Sequence, residues 1–209
     1  AIGWSRNGEY VAVGGNRTNE ITPRVYSVNS GVLTQVGSGY DHGTTVYTLA
    51  WRPNKDHLAI GGYQGGGYSH RVYSSSAGVL SLVGSYDYGS AVNSCVWSSG
   101  GGSLAVGGYC ITSTPVTHRI YYAASNGELA LSGSLDNLYG YVNSLAWHST
   151  SGLALGSNSS VLTDTDYRSV WVFDNSAGTI SSTSEFEVAS SFSASIDINA
   201  AGTYAVMGG

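Results

Sequence analysis

Charge is scarce in this 209-residue chain. Asp, Glu, Lys and Arg make up 10% of it, and Lys55 is the single lysine. An average domain carries roughly 25%. With 8 basic against 13 acidic residues the formal balance is −5, which argues against binding a nucleic-acid backbone, since that needs clustered Lys and Arg. Two cysteines, Cys95 and Cys110, are too few for a disulfide framework. No apolar run approaches the roughly 18 residues of a membrane-spanning helix. No segment carries helical periodicity. Cofactor and metal signatures are missing as well. Gly65-Gly66-Gly67 has no helix behind it to bind phosphate. The five histidines (His42, His57, His70, His118 and His148) lack metal-ligand spacing, and Asp164-Thr165-Asp166 lacks the rest of a calcium loop.

What the chain has is repetition, with 42% hydrophobic residues to build a core. Ile2-Gly3-Trp4 is followed six residues on by Val11-Ala12-Val13-Gly14-Gly15. The pattern returns as Leu49-Ala50-Trp51 with Leu58-Ala59-Ile60-Gly61-Gly62, and as Cys95-Val96-Trp97 with Leu104-Ala105-Val106-Gly107-Gly108. It returns again as Leu145-Ala146-Trp147 with Leu153-Ala154-Leu155-Gly156, and faintly as Ile196-Asp197-Ile198 with Ala205-Val206-Met207-Gly208-Gly209. Trp4, Trp51, Trp97, Trp147 and Ile198 recur every 46 to 51 residues. A period in that range means a solenoid, an array or a propeller. The chain therefore reads as one array over residues 1–209 with units starting near 1, 46, 92, 142 and 194, not as separate domains.

Each unit reads as four short strands. In the first, Val46, Thr48 and Ala50 alternate with Tyr47, Leu49 and Trp51, predicting a small face and a large face. A turn rich in Pro, Asn, Gly and Ser leads to a short apolar strand ending in Gly-Gly, where a bulge or a close backbone approach is expected. After a polar loop, a third strand begins at Arg24, Arg71, Arg119 or Val170. A turn with Gly31, Gly78, Gly127 or Gly178 leads to the fourth. Cys95 stands where other units have Leu49 and Leu145, so it is expected to be buried and apolar, and not bonded to Cys110.

Four antiparallel strands in about 48 residues are the pattern of a propeller blade. Val46 through Gly62 resembles the first two strands of a WD-repeat β-propeller blade, and Arg71-Val72-Tyr73-Ser74 resembles the third. The Trp-Asp dipeptide of that family is absent: Tyr26-Ser27, Tyr73-Ser74, Tyr121-Tyr122 and Phe173-Asp174 take its place. The family's Gly-His before the first strand is absent too, and Asp41-His42 and Asp87-Tyr88 occupy that region. The expected fold is all-β, a propeller of four-stranded antiparallel blades with about four and a half repeats present. The four tryptophans should wedge between adjacent blades. The inventory of five first, five second, four third and four fourth strands suits either a segment of a larger propeller or a small ring; the segment is the expectation.

Two side-chain sets stand out. Arg24 precedes Asp41, Arg71 precedes Asp87 and Arg119 precedes Asp136 by 16 or 17 residues. Each pair is expected to clip the outer strands of its own unit by a charge-assisted bond. The second set is tyrosine. Tyr40, Tyr63, Tyr68, Tyr86, Tyr88, Tyr109, Tyr139, Tyr141 and Tyr167 fall in loops that emerge on one face of such a disc. Tyrosine supplies contact area at low entropy cost, together with a hydroxyl. No catalytic constellation is visible, so the expected role is a non-enzymatic binding or scaffold module that presents this face to a protein. A carbohydrate-binding, lectin-like propeller and a structural subunit of a surface, filament or particle are the alternatives. Asn16-Arg17-Thr18 and Asn158-Ser159-Ser160 match the N-glycosylation pattern. Low charge and scarce lysine suit a packed or protease-exposed setting, and an extracellular or surface-exposed location is the expectation. The expected partner is thus protein or glycan, with oligomerisation or a larger parent chain in view, no cofactor, no nucleic acid and no membrane insertion.

Overall fold

The computed structural model describes residues 1–16, 22–63, 69–109, 116–136, 141–147, 152–158, 170–174, 181–186, 195–199 and 204–208. Among them every regular element is a β-strand. Sheet 1 comprises β1 (Ile2–Trp4), β2 (Tyr10–Val13), β3 (Arg24–Asn29) and β4 (Val32–Val36). Sheet 2 comprises β5 (Thr45–Trp51), β6 (His57–Tyr63), β7 (His70–Ser76) and β8 (Val79–Tyr86). Sheet 3 has β9 (Val92–Trp97), β10 (Ser103–Gly108), β11 (Val116–Ala123) and β12 (Leu129–Asp136). Sheet 4 has β13 (Tyr141–Trp147), β14 (Gly152–Asn158), β15 (Val170–Asp174) and β16 (Ser181–Phe186). Sheet 5 holds β17 (Ser195–Ile198) and β18 (Ala205–Gly208). Each sheet is an antiparallel meander in sequence order. Two-residue hairpins close β3–β4 and β7–β8. Ser30 and Gly31 have φ of 49° and 80°, and Ala77 and Gly78 have 49° and 81°. Positive φ at both central residues matches the right-handed twist of the strands, and glycine meets it without a Cβ penalty.

The sheets pack face to face, and the first strand of each meets the first strand of the next. Sheet 2 turns Leu49, Trp51, Leu58, Ile60, Tyr73 and Leu80 onto Ala12 and Val25 of sheet 1. Sheet 3 repeats this with Cys95, Trp97, Leu104, Val106, Tyr121 and Leu129 over Ala59 and Val72. A large face therefore covers a small one at these two junctions. Burying a side chain of the size of Trp97 contributes about 3 kcal/mol. Polar rungs fix the register. The Trp51 Nε1 donates to the Gly3 carbonyl at 3.0 Å, and the Trp97 Nε1 to the Ala50 carbonyl at 3.0 Å. The Thr48 hydroxyl accepts from the Cys95 N–H at 3.2 Å, Ser94 from Leu145 at 3.1 Å and Ser144 from Ile196 at 3.2 Å.

The Gly-Gly pairs do two jobs. A Cβ on Gly14, Gly61 or Gly107 would stand 2.5, 2.4 or 2.4 Å from a Val46, Val92 or Val142 methyl of the next sheet. A Cβ on Gly62 would meet the Thr45 carbonyl oxygen at 1.9 Å, and one on Gly108 the Ala91 oxygen at 2.0 Å. The second glycine thus admits a bulge within its own sheet. That bulge corrects one expectation. Val46 pairs with Gly62 and Thr48 with Gly61, leaving Tyr47 as the extra residue. The alternation reverses there, so Val46 faces sheet 1 with Leu49 and Trp51, while Thr48 faces sheet 3. Tyr47 is exposed.

The tryptophans divide by position. Trp97 is buried, Trp51 and Trp147 are half-buried, and Trp4 is 55% exposed. Trp4 was expected to be wedged between sheets. It lies on the outer face of sheet 1, which no described sheet covers.

Candidate functional site

The antiparallel order brings the second-to-third-strand loops and the sheet-to-sheet loops to one end, as the pairs Thr45↔Tyr63 and His70↔Tyr86 show. The tyrosines of that end fall into three groups. Tyr63 is exposed, its backbone held by the Thr44 hydroxyl donating to its carbonyl at 2.6 Å. Tyr109, just past β10, stacks on Tyr141 at the head of β13, with centroids 4.3 Å apart and planes 14° from parallel. Both are half-buried.

The second group is structural. The Tyr40 hydroxyl accepts the Leu80 N–H at 2.7 Å, and the Tyr86 hydroxyl accepts the Leu129 N–H at 2.8 Å. Each tyrosine reaches from the end of one sheet to the fourth strand of the next, so its hydroxyl is engaged in joining sheets. Tyr88 forms the third group and is a correction. It is fully buried beneath the Arg119 guanidinium, 5.2 Å from its ring, and has no surface for a partner. Tyr68, Tyr139 and Tyr167 lie outside the described residues.

Two of the arginines meet other partners than expected, Arg71 meeting Asp41 where Asp87 was expected and Arg119 meeting Asp87 where Asp136 was expected. Arg71 donates to the main-chain carbonyl of Asp41, and Arg119 to that of Asp87. The contact joins a third strand to the loop that enters its own sheet, through a carbonyl rather than a carboxylate. The carboxylates serve their own loops instead: Asp41 accepts the Gly43 N–H at 2.9 Å and Asp87 the Gly89 N–H at 2.7 Å. Such side-chain-to-backbone bonds two residues on are how Asp stabilises a tight turn. Arg24 opens β3 at the equivalent place. The side chain of Asp136 lies outside the described residues.

Beneath this end sit buried imidazoles. His42 is held by its N–H to the Thr22 carbonyl at 3.2 Å, and neither ring nitrogen has a hydrogen-bond partner of good geometry. Burial lowers its pKa to about 4, helped by the Arg71 guanidinium, against weaker upward pulls from the Ser69 main chain and Asp41. His70 stacks on Tyr86 at 5.3 Å and tilts against Tyr121 at 5.2 Å. Burial, Arg119 and His42 hold its pKa down at about 3. His118 is brought to about 3 by burial alone. All three are neutral at pH 7. The Cys95 thiol, raised to about 12 by burial, stays protonated beside Thr48 and is not a nucleophile. Among the described residues no group of three His, Cys, Asp or Glu could hold a metal ion.

Sequence reasoning missed the opposite end. Arg52 looked like a turn residue, yet it is 4% exposed. It donates to the carbonyls of Gly101 at 2.6 Å, Ala124 at 2.8 Å and Ala123 at 3.1 Å, and lies 5.2 Å from the Trp97 ring centroid. It locks sheet 2 onto two turns of sheet 3. The corresponding positions in other units, such as Ser5 and Ser98, are not arginine, so the repeat gave no signal.

A scan against models of known protein families finds no match, and a comparison with curated proteins finds none either.

Proposed function

We propose that the sheets are the blades of a propeller of the WD-repeat kind, and that the chain is a non-enzymatic binding module whose loop end meets a protein partner. The observation that supports the binding role is the grouping of exposed Tyr63 with the stacked Tyr109–Tyr141 pair at the end where the long loops emerge. Stacked aromatic rings present a rigid, amphipathic surface that loses little entropy on binding. The propeller reading draws on the packing of first strand on first strand from sheet 1 to sheet 5. The buried histidines belong to the support of that end, since they are closed off from solvent, His70 against the Tyr86 ring.

Sugars also stack on tyrosine, so the carbohydrate-binding reading rests on the same rings. A displayed peptide library and a glycan array, each probed with wild type and a Tyr63→Ser/Tyr109→Ser/Tyr141→Ser variant, separate the two. Peptide ligands that the variant loses support a protein partner. Glycan ligands that the variant loses replace it with the lectin reading. Ligands retained by the variant, or no ligands of either kind, overturn the assignment of this face.

A further inference from the structure

The junction between sheets 3 and 4 is tied differently from the two before it. At those two, a tyrosine hydroxyl reaches across: Tyr40 accepts from Leu80 of sheet 2, and Tyr86 from Leu129 of sheet 3. Tyr86 pairs with His70, and the residue that pairs with His118 at the same place in sheet 3 is Leu135. Leucine brings no hydroxyl to that position.

A second repeat position answers it. Gly14 packs on Val46, Gly61 on Val92 and Gly107 on Val142. The residue after each glycine pair therefore stands opposite the residue before each valine. These facing residues are Asn16 with Thr45, Tyr63 with Ala91, and Tyr109 with Tyr141. Of the three, the last alone sets a phenol on both sides. Its rings lie 4.3 Å apart and 14° from parallel, closer than the usual separation of about 4.5–7 Å for aromatic pairs. Main-chain bonds hold both ends of the stack. The Tyr109 N–H donates to the Ala91 carbonyl at 3.0 Å. Across the junction, Asn93 Nδ2 donates to the Val142 carbonyl at 3.2 Å, and the Ser94 hydroxyl accepts the Leu145 N–H at 3.1 Å. Both rings are half-buried and reach solvent in part.

We propose that Tyr109 and Tyr141 are a site of oxidative tyrosine coupling, at which a haem peroxidase with hydrogen peroxide forms a dityrosine that ties sheet 3 to sheet 4. Each phenol gives up one electron and its hydroxyl proton. The unpaired electron is shared with the ring carbons beside the oxygen. One such Cε from each ring joins the other in a new carbon–carbon bond. Each Cε then releases its hydrogen as a proton, and each oxygen takes a proton back. In all, two electrons and two protons leave the pair and reduce one hydrogen peroxide to two waters. Rings already held face to face make the coupling an intramolecular step, which favours it over encounters between chains. The site needs only the stack, so it is independent of what the tyrosine face binds.

Dilute protein treated with a haem peroxidase and hydrogen peroxide, then digested and mapped by mass, tests this. The expected product is a monomer lighter by two hydrogens, with Tyr109 and Tyr141 in one linked peptide. Tyr109→Phe and Tyr141→Phe keep a ring in the stack, and each should abolish the link. Tyr63, opposite Ala91, should form none within the chain. The bridge closes the loop from 109 to 141, so the melting midpoint of the coupled protein should rise by roughly 5–10 °C. Coupling only between chains, or only at other tyrosines, overturns the proposal. So does a link that survives either Phe variant, or protein left uncoupled while free tyrosine in the same tube dimerises. A coupled product with an unchanged midpoint overturns its role as a tie.

Discussion

Replacing His70 with Phe should make the protein resist acid, and the gain follows from the surroundings of one ring. His70 lies between Tyr86 and Tyr121, with Arg119 and His42 as its charged or titratable neighbours. No carboxylate offsets the loss of solvent. An ordinary histidine takes up its proton near pH 6.5, whereas this one does so only at about 3. The unfolded chain therefore binds the proton first as pH falls. Stability linked to His70 is complete above about pH 6.5 and drains away between there and about pH 3. At pH 5, about 1.5 units below the ordinary value, the loss is about 2 kcal/mol, since each unit is about 1.4 kcal/mol. Carried down to pH 3 it approaches 5 kcal/mol, against a total of about 5–15 kcal/mol for a typical domain. Phe keeps the ring between the two tyrosines and removes the proton site. Urea unfolding of both proteins at pH 7.5, 6 and 5 measures the difference directly, because His42 and His118 are common to both. The gap between the variant and wild type should widen by about 2 kcal/mol from pH 7.5 to pH 5. A gap that stays constant across this range would refute the linkage.

Two further substitutions probe the sheet junctions. Gly15 and Gly62 hold the same place in the repeat, yet a Cβ on Gly15 meets nothing within 4 Å while one on Gly62 meets a carbonyl oxygen at 1.9 Å. Thermal melts should find Gly15→Ala neutral or stabilising by under about 1 kcal/mol, and Gly62→Ala destabilising by about 3 kcal/mol as the bulge is forced open. Arg52→Met keeps the stem near Trp97 but removes the donors to Gly101, Ala123 and Ala124. A loss of about 2–4 kcal/mol in the urea midpoint analysis is expected, with little loss meaning that water replaces the guanidinium.

The sequence by itself determined the repeat, the strands and the turns. Alternation and turn chemistry are local, so β5, β9, β13 and β17 begin within a residue of the positions read from the pattern. The Gly-Gly pairs were likewise legible as close-approach sites, and Cys95 as an apolar core residue. Pairing between neighbouring sheets was not legible. The Val46–Thr48 alternation fails because one extra residue in a bulge reverses the phase beyond it. Arg71 and Arg119 bond to the carbonyls of Asp41 and Asp87, in the loops that enter their own sheets, where the carboxylates of Asp87 and Asp136 were expected, because the position of an entering loop over the third strand is a tertiary matter. Tyr88 looks like Tyr63 in the sequence, but one is sealed under an arginine and the other is open. Trp4 and Trp97 hold the same place in the repeat, yet sheet 2 and Arg52 cover Trp97 while no described sheet lies on Trp4. Strand formation depends on residues a few positions apart along the chain. Burial depends on what another segment, some 47 residues away, lays on top, and only the tertiary structure settles that.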